Sequence, residues 1–155
     1  SRFPLRIERY ELVPDTGGAG RTRGSLALRR DIRLLVGPVS FARYGDRHKF
    51  PPPGLFEGKP GSTGAFILNP GTVDERRLPS KGLDSLEEGD LVRLVLPGAG
   101  GYGAPSERDP DAINRDLSDG KISADAAERD YQVVINRSTG LVEREATSQR
   151  QKSRR

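Results

Sequence analysis

From Leu26 to Val36 the chain alternates. Leu26, Leu28, Ile32, Leu34 and Val36 share one parity, Arg29, Asp31 and Arg33 hold the other, and Arg30 alone interrupts the apolar set. A period of two fits a strand rather than a helix, because successive side chains of an extended chain point to opposite faces. It predicts a sheet with one buried face and one wet or interfacial face. Upstream, Phe3, Leu5 and Ile7 alternate with Arg6 and Glu8, and the parity then slips to Tyr10 and Leu12. That slip predicts a bulge or bend near Arg9. Val39 and Phe41 open a strand ending near Tyr44, and Ala65 to Leu68 form a short one closed by Asn69-Pro70-Gly71. Leu91 to Leu96 is apolar on nearly both faces and is expected to be central. No helical crossover separates these runs, so the expected sheet is antiparallel.

The rest of the first two thirds is loop. Nineteen Gly and twelve Pro punctuate 155 residues, and Pro51-Pro52-Pro53-Gly54 must run extended before it turns. Leu, Ile, Val and Phe make up about 23% of the chain, a little above the roughly 20% below which disorder is favoured. A modest core under extensive loops is expected, completed by a neighbour. The acids Asp84, Glu87, Glu88 and Asp90 crowd what reads as one solvated turn.

Character changes at Asp109. Asp109 can cap a helix, Pro110 suits its first turn, Ile113 and Leu117 lie on one face, and Asp119-Gly120 ends it. Ser123 caps a second helix running to Tyr131. Gln132 to Ile135 and Leu141 to Glu143 then flank Asn136-Arg137-Ser138-Thr139-Gly140 as a hairpin. The expected fold class is α+β: a mainly β, antiparallel sheet-rich domain with long Gly/Pro loops and short C-terminal helices. The expected plan is a β-rich domain over 1–108, two short helices and a hairpin packed on it over 109–145, and a disordered basic tail over 146–155. The net charge of +4 is carried entirely by Arg144–Arg155, five basic residues with Glu145. A basic tail on a neutral body reads as a solvated terminus, so no nucleic-acid partner is expected.

The chemistry-bearing residues are few. There is no Cys, which excludes disulfides and thiolate chemistry. Met is also absent, so Ser1 is expected to mark a trimmed, processed or excised start. No apolar run is long enough for a membrane span and no secretory leader opens the chain, so a cytoplasmic location with no membrane partner is expected. Gly98-Ala99-Gly100-Gly101-Tyr102-Gly103 matches the spacing of a dinucleotide-binding loop. It lacks the β-α-β setting that would aim a helix N-terminus at a pyrophosphate. The only His, His48, sits in Asp46-Arg47-His48-Lys49, which suits hydrogen bonding or a supporting role beside a site on another chain. Ser62, Ser80 and Ser106 lack a nucleophile elbow. No catalytic residue and no metal ligand is assigned.

Several segments, taken in order, resemble the hydantoinase B/5-oxoprolinase family. They are Pro4–Tyr10, Asp15–Arg21, Asp46–Phe56, Gly58–Gly61, Leu78–Lys81, Pro97–Gly103 and Glu107–Pro110. Ala99 and Ala104 depart from the family pattern, where Gly and often Asp are expected, and the ending is short and basic. The resemblance implies the carboxy-terminal part, or a separate small chain, of the B-type subunit of an ATP-dependent cyclic-amide hydrolase. Its implied role is structural and assembling within a hetero-oligomer, and not catalytic alone. Expected partners are the remainder of the B-type subunit and an A-type ATP-binding subunit. ATP and a divalent metal are expected elsewhere in the complex, with no cofactor on this chain. The alternatives are a small subunit of an ATP-dependent ketone carboxylase, of acetone or acetophenone type, and a non-catalytic interaction module. Asp46, Arg47 and His48 are the expected site-proximal residues. Gly98, Gly100, Gly101 and Tyr102 form the expected subunit-contact loop.

Overall fold

The alternating segments become strands of two sheets in the computed structural model, which describes residues 4–152, with side chains to 149. The larger sheet has five antiparallel strands. Its members are β1 (Leu5–Val13), β2 (Ala27–Leu34), β4 (Ala65–Leu68), β5 (Arg76–Leu78) and β7 (Leu91–Val95), in the order β1-β2-β7-β4-β5. β7 is central, as its two apolar faces require. β3 (Val39–Tyr44) and β6 (Lys81–Leu86) pair as a separate two-stranded sheet. The expected bulge is present: Ile7 opposes Ile32 and Arg9 opposes Asp31, leaving Glu8 as the extra residue. β5 and β6 escaped the sequence reading because Arg76-Arg77 and Gly82 mask any alternation. Asp84 lies within β6, not in a solvated turn, and pairs with buried Arg43 across the ladder.

One face of the large sheet is apolar, but only half of it is covered. Val39, Phe41 and Leu86 of the small sheet pack over Leu34, Leu68, Leu78 and Val92. Toward the β1 edge the same face lies open, with Leu5 44%, Ile7 61%, Tyr10 61% and Leu12 54% exposed. Arg30, the interruption noted in the pattern, stacks its guanidinium 5.1 Å from the Tyr10 ring centroid. The opposite face, expected to be wet or interfacial, carries a carboxylate that the chain itself buries. Asp31 is only 4% exposed, because Arg29 and Arg93 close over it and donate to both its oxygens. Leu28 and Ile32 are half-buried rather than core. Leu86→Ala is therefore expected to cost about 2–5 kcal/mol, and Leu28→Ala or Ile32→Ala less than about 2. Urea unfolding of the three variants checks that ranking.

Both expected helices form. α1 (Pro110–Ser118) is capped by Asp109, which accepts from the Asp111 N–H, and α2 (Ala124–Asp130) by Ser123, which accepts from the Ala126 N–H. The expected hairpin reduces to a single bridge between Ile135 and Val142. The expected disordered tail is corrected: Arg144–Lys152 forms a third helix, α3. Composition gave no sign of it because one inward residue docks it. Thr147 is buried and its hydroxyl accepts from the Val134 N–H, while Arg144 pairs with Asp111. The remainder of that tail, residues 153–155, lies outside the described residues, as does Phe3. Ile113, Ile122, Ala127, Tyr131, Val133, Ile135 and Val142 gather as a second core, into which Ala19 reaches from the loop after β1. Asp116 of α1 is buried and accepts from both Arg23 and Arg108, which pins the helical part to that same loop.

Candidate functional site

Two loop regions carry the residues that the sequence singled out, and they play different parts. The first is a stack of three extended, glycine-rich segments, residues 14–24, 51–62 and 97–103. Their backbones hydrogen-bond to one another: Gly18 N–H to Ala99, Lys59 N–H to Ala19, Gly101 N–H to Lys59 and Leu55 N–H to Gly101. The chains approach too closely for side chains. A Cβ on Gly101 would lie 2.2 Å from the Ala19 carbonyl oxygen, and one on Gly24 2.0 Å from that of Ala99. Gly98, Gly100 and Gly101 thus pack directly on backbone of their own chain. Tyr102 is different: its side chain reaches the surface, 5.1 Å from the Phe56 ring, with Leu55 and Phe56 also exposed.

The second region is a cleft of about 770 Å³ lined by Gly45–Phe50 and Arg77–Lys81. Here the structure brings together the three site-proximal residues, Asp46, Arg47 and His48, with two that the sequence reading missed, Arg77 and Lys81. The link is made by the β4–β5 pairing and by two hydrogen bonds, Gly45 N–H to the Ser80 carbonyl and Gly64 N–H to that of Arg47. His48 packs against Phe66, ring centroids 4.6 Å apart. A Cβ on Gly45 would come within 2.6 Å of its Nε2, so the ring holds its place because a glycine leaves room. Burial and then the Arg77 charge push the imidazole below its ordinary range, with Asp46 opposing. The ring is therefore neutral near pH 7. Arg47 adopts a left-handed backbone, φ 59°, a conformation that costs a non-glycine residue energy and gathers at functional sites.

The cleft has cations in excess. Arg47, Lys49, Arg77 and Lys81 line it with Asp46 as its one acid. The Arg77 guanidinium lies 3.4 Å from the Gly64 carbonyl oxygen, and Lys81 sits 4.6 Å over the Tyr44 ring. Such a surface holds and orients a negatively charged group. Among the described residues no group of three or more His, Cys, Asp or Glu side chains is placed to hold a metal ion. Among them, too, no helix is long and apolar enough to cross a membrane.

The architecture is α+β, an antiparallel sheet with three short helices, and solved proteins share it. The nucleotide-free structure of acetone carboxylase matches 97% of this chain with a TM-score of 0.78 at 17% identity, a likeness of fold alone. The crystal structure of ATP-dependent caprolactamase from Pseudomonas jessenii matches 94% of it with a TM-score of 0.76 at 29% identity. The B-type chain of a putative D-/L-hydantoinase from a Pseudomonas strain is 35% identical over 87% of the chain. The family model for hydantoinase B/oxoprolinase matches residues 1–105, and the chain belongs to that family. It spans about a quarter of the length of the curated relatives it matches.

Proposed function

We propose that this chain is the β-rich portion of the B-type subunit of an ATP-dependent cyclic-amide hydrolase, with an assembling rather than a self-sufficient catalytic role. The observation that carries the assembling role is the open half of the apolar sheet face, Leu5, Ile7, Tyr10 and Leu12, on an edge strand. An apolar face of this kind, beside unpaired strand backbone, is stabilised by being covered. The proposed cover is the remainder of the B-type subunit, since the relatives are about four times longer than this chain. An A-type ATP-binding subunit is the second proposed partner, with ATP and a divalent metal held outside this chain. Two of the relatives, the hydantoinase B-type chain and the caprolactamase beta chain, are named as subunits, which supports a multi-chain setting. A cyclic-amide substrate is preferred over a ketone because the caprolactamase is 29% identical and the acetone carboxylase 17%.

The test is assembly. Ile7→Glu is expected to lower recovery of the chain with its co-expressed partners, while changing the chain's own stability by no more than about 0.5 kcal/mol, as befits an exposed site. Equal recovery of Ile7→Glu and wild-type complexes would remove this face from the interface. Assay of the intact complex on a lactam and on a ketone then separates the two substrate classes.

A further inference from the structure

The basic cleft around His48 is not used by the assembling role, and its charge is unmet by the chain itself. Arg47, Lys49, Arg77 and Lys81 converge on it from the loop after β3, from β5 and from the start of β6. None of the four has an ion-pair partner among the described residues. Several other arginines behave differently among the described residues: Arg23, Arg29, Arg33, Arg43, Arg93 and Arg108 each bind a carboxylate. Holding like charges together without a counter-ion is unfavourable, so four unpaired cations around one acid mark a place where an anion belongs. The excess exceeds what one carboxylate neutralises and suits a dianion. Arginine presents a planar fork matched to oxyanion geometry, and lysine adds point charge. The cleft also has an apolar wall in Phe50, Leu78 and Pro79, and a hydroxyl in Ser80.

We propose that this cleft is a binding site for a phosphate-type oxyanion, free or carried as the phosphoryl group of a small organic molecule. Arg77 and Lys81 are its principal donors, and Arg47 and Lys49 close its outer side. The site stands on this chain's own residues and holds whether or not the assembling role does.

The experiment uses the full 155-residue chain, titrated at one fixed ionic strength and pH with inorganic phosphate, phenyl phosphate and acetate. His48 is the chain's only histidine, so its imidazole resonances report on the cleft without ambiguity. Phosphate and phenyl phosphate are expected to saturate and to shift those resonances, and acetate to bind at least about tenfold more weakly. Tighter binding of phenyl phosphate than of phosphate assigns the site to an organic ligand, and equal binding to the free ion. Arg77→Gln is expected to weaken phosphate about tenfold. Its target is exposed, so the melting temperature should stay at the wild-type value. Lys81→Gln provides a second, independent reading, and Arg137→Gln, outside the cleft, should bind as wild type. Acetate binding as tightly as phosphate, or Arg77→Gln and Lys81→Gln both binding as wild type, overturns the proposal.

Discussion

Gly101→Val is expected to leave the chain without its native fold. Any Cβ at this position would sit 2.2 Å from the Ala19 carbonyl oxygen and 2.7 Å from that of Gly18. Both are backbone atoms, which cannot rotate away as a side chain can. Gly101 also donates its N–H to the Lys59 carbonyl and accepts from the Leu55 N–H, so moving one segment breaks bonds to the others. A clash of this kind, in the buried middle of three segments, exceeds the 1–3 kcal/mol typical of overpacking by a methylene and is expected to cost more than about 4 kcal/mol. For a small domain that is most of the available stability. Circular dichroism melting and an amide proton spectrum check it, against Gly89→Ala as control. Gly89 has φ 87° with nothing within 4 Å of its Cβ position, so only conformational strain opposes alanine, at about 1–2 kcal/mol. A Gly101→Val chain that melts like wild type would show that the stack does not require a glycine there.

The second large effect is expected at Asp31. Its carboxylate lies under two guanidinium groups, with Arg93 directly across the ladder and Arg29 two residues back on the same face. Burial pushes the carboxyl up, but the hydrogen bonds from Arg29 and Arg93 outweigh it and hold its pKa at about 2. Asp31→Ala leaves two partly buried cations side by side, at an expected cost of about 3 kcal/mol. The pH dependence follows from the sign of the shift. The folded carboxyl is the stronger acid, so its contribution is complete above the unfolded pKa of about 3.9 and is lost as pH falls toward 2. About 2.5 kcal/mol is at stake at neutral pH. Urea unfolding of wild type should lose most of that amount between pH 5 and pH 2, whereas Asp31→Asn should start lower and stay flatter through the same window. Parallel curves for the two proteins would mean that the carboxylate is not held by its arginines.

The strands were legible because a sheet writes its period into sequence. β2 follows from alternation, β3, β4 and β7 from short apolar runs between Gly-Pro, Asn-Pro-Gly and Gly-Asp breaks, and even the bulge at Glu8 follows from a slipped parity. The meaning of the two faces was less legible. Alternation says that Arg29 and Asp31 lie opposite Leu28 and Ile32, but not that Arg93, paired from a distant strand, closes over the carboxylate. The basic cleft had the same obstacle. His48 stands out as a lone histidine, yet Arg77 reaches it through the β4–β5 pairing and Lys81 through the β3–β6 pairing, and β5 and β6 have too little alternation to announce themselves. The glycine motif at 98–103 pointed outward, toward a ligand or partner. Its spacing also answers to neighbouring backbone, which the motif alone does not reveal.

That backbone stack also bears on how the molecule comes to be folded. Its three layers come from near the start, about one third and about two thirds of the way along the chain, and each supplies hydrogen bonds to another. Closing loops of that length costs entropy before any contact repays it, so chains dominated by such distant pairings fold slowly. None of the three layers can be laid down alone, because each has its neighbours' carbonyls where side chains would otherwise pack. The early-forming parts are then the local ones, the capped helices α1 and α2. The glycine stack is expected to close last, once the sheet strands that flank its segments have brought them into reach, and pulse-labelled hydrogen exchange on the amides of Gly18, Lys59 and Gly101 checks it.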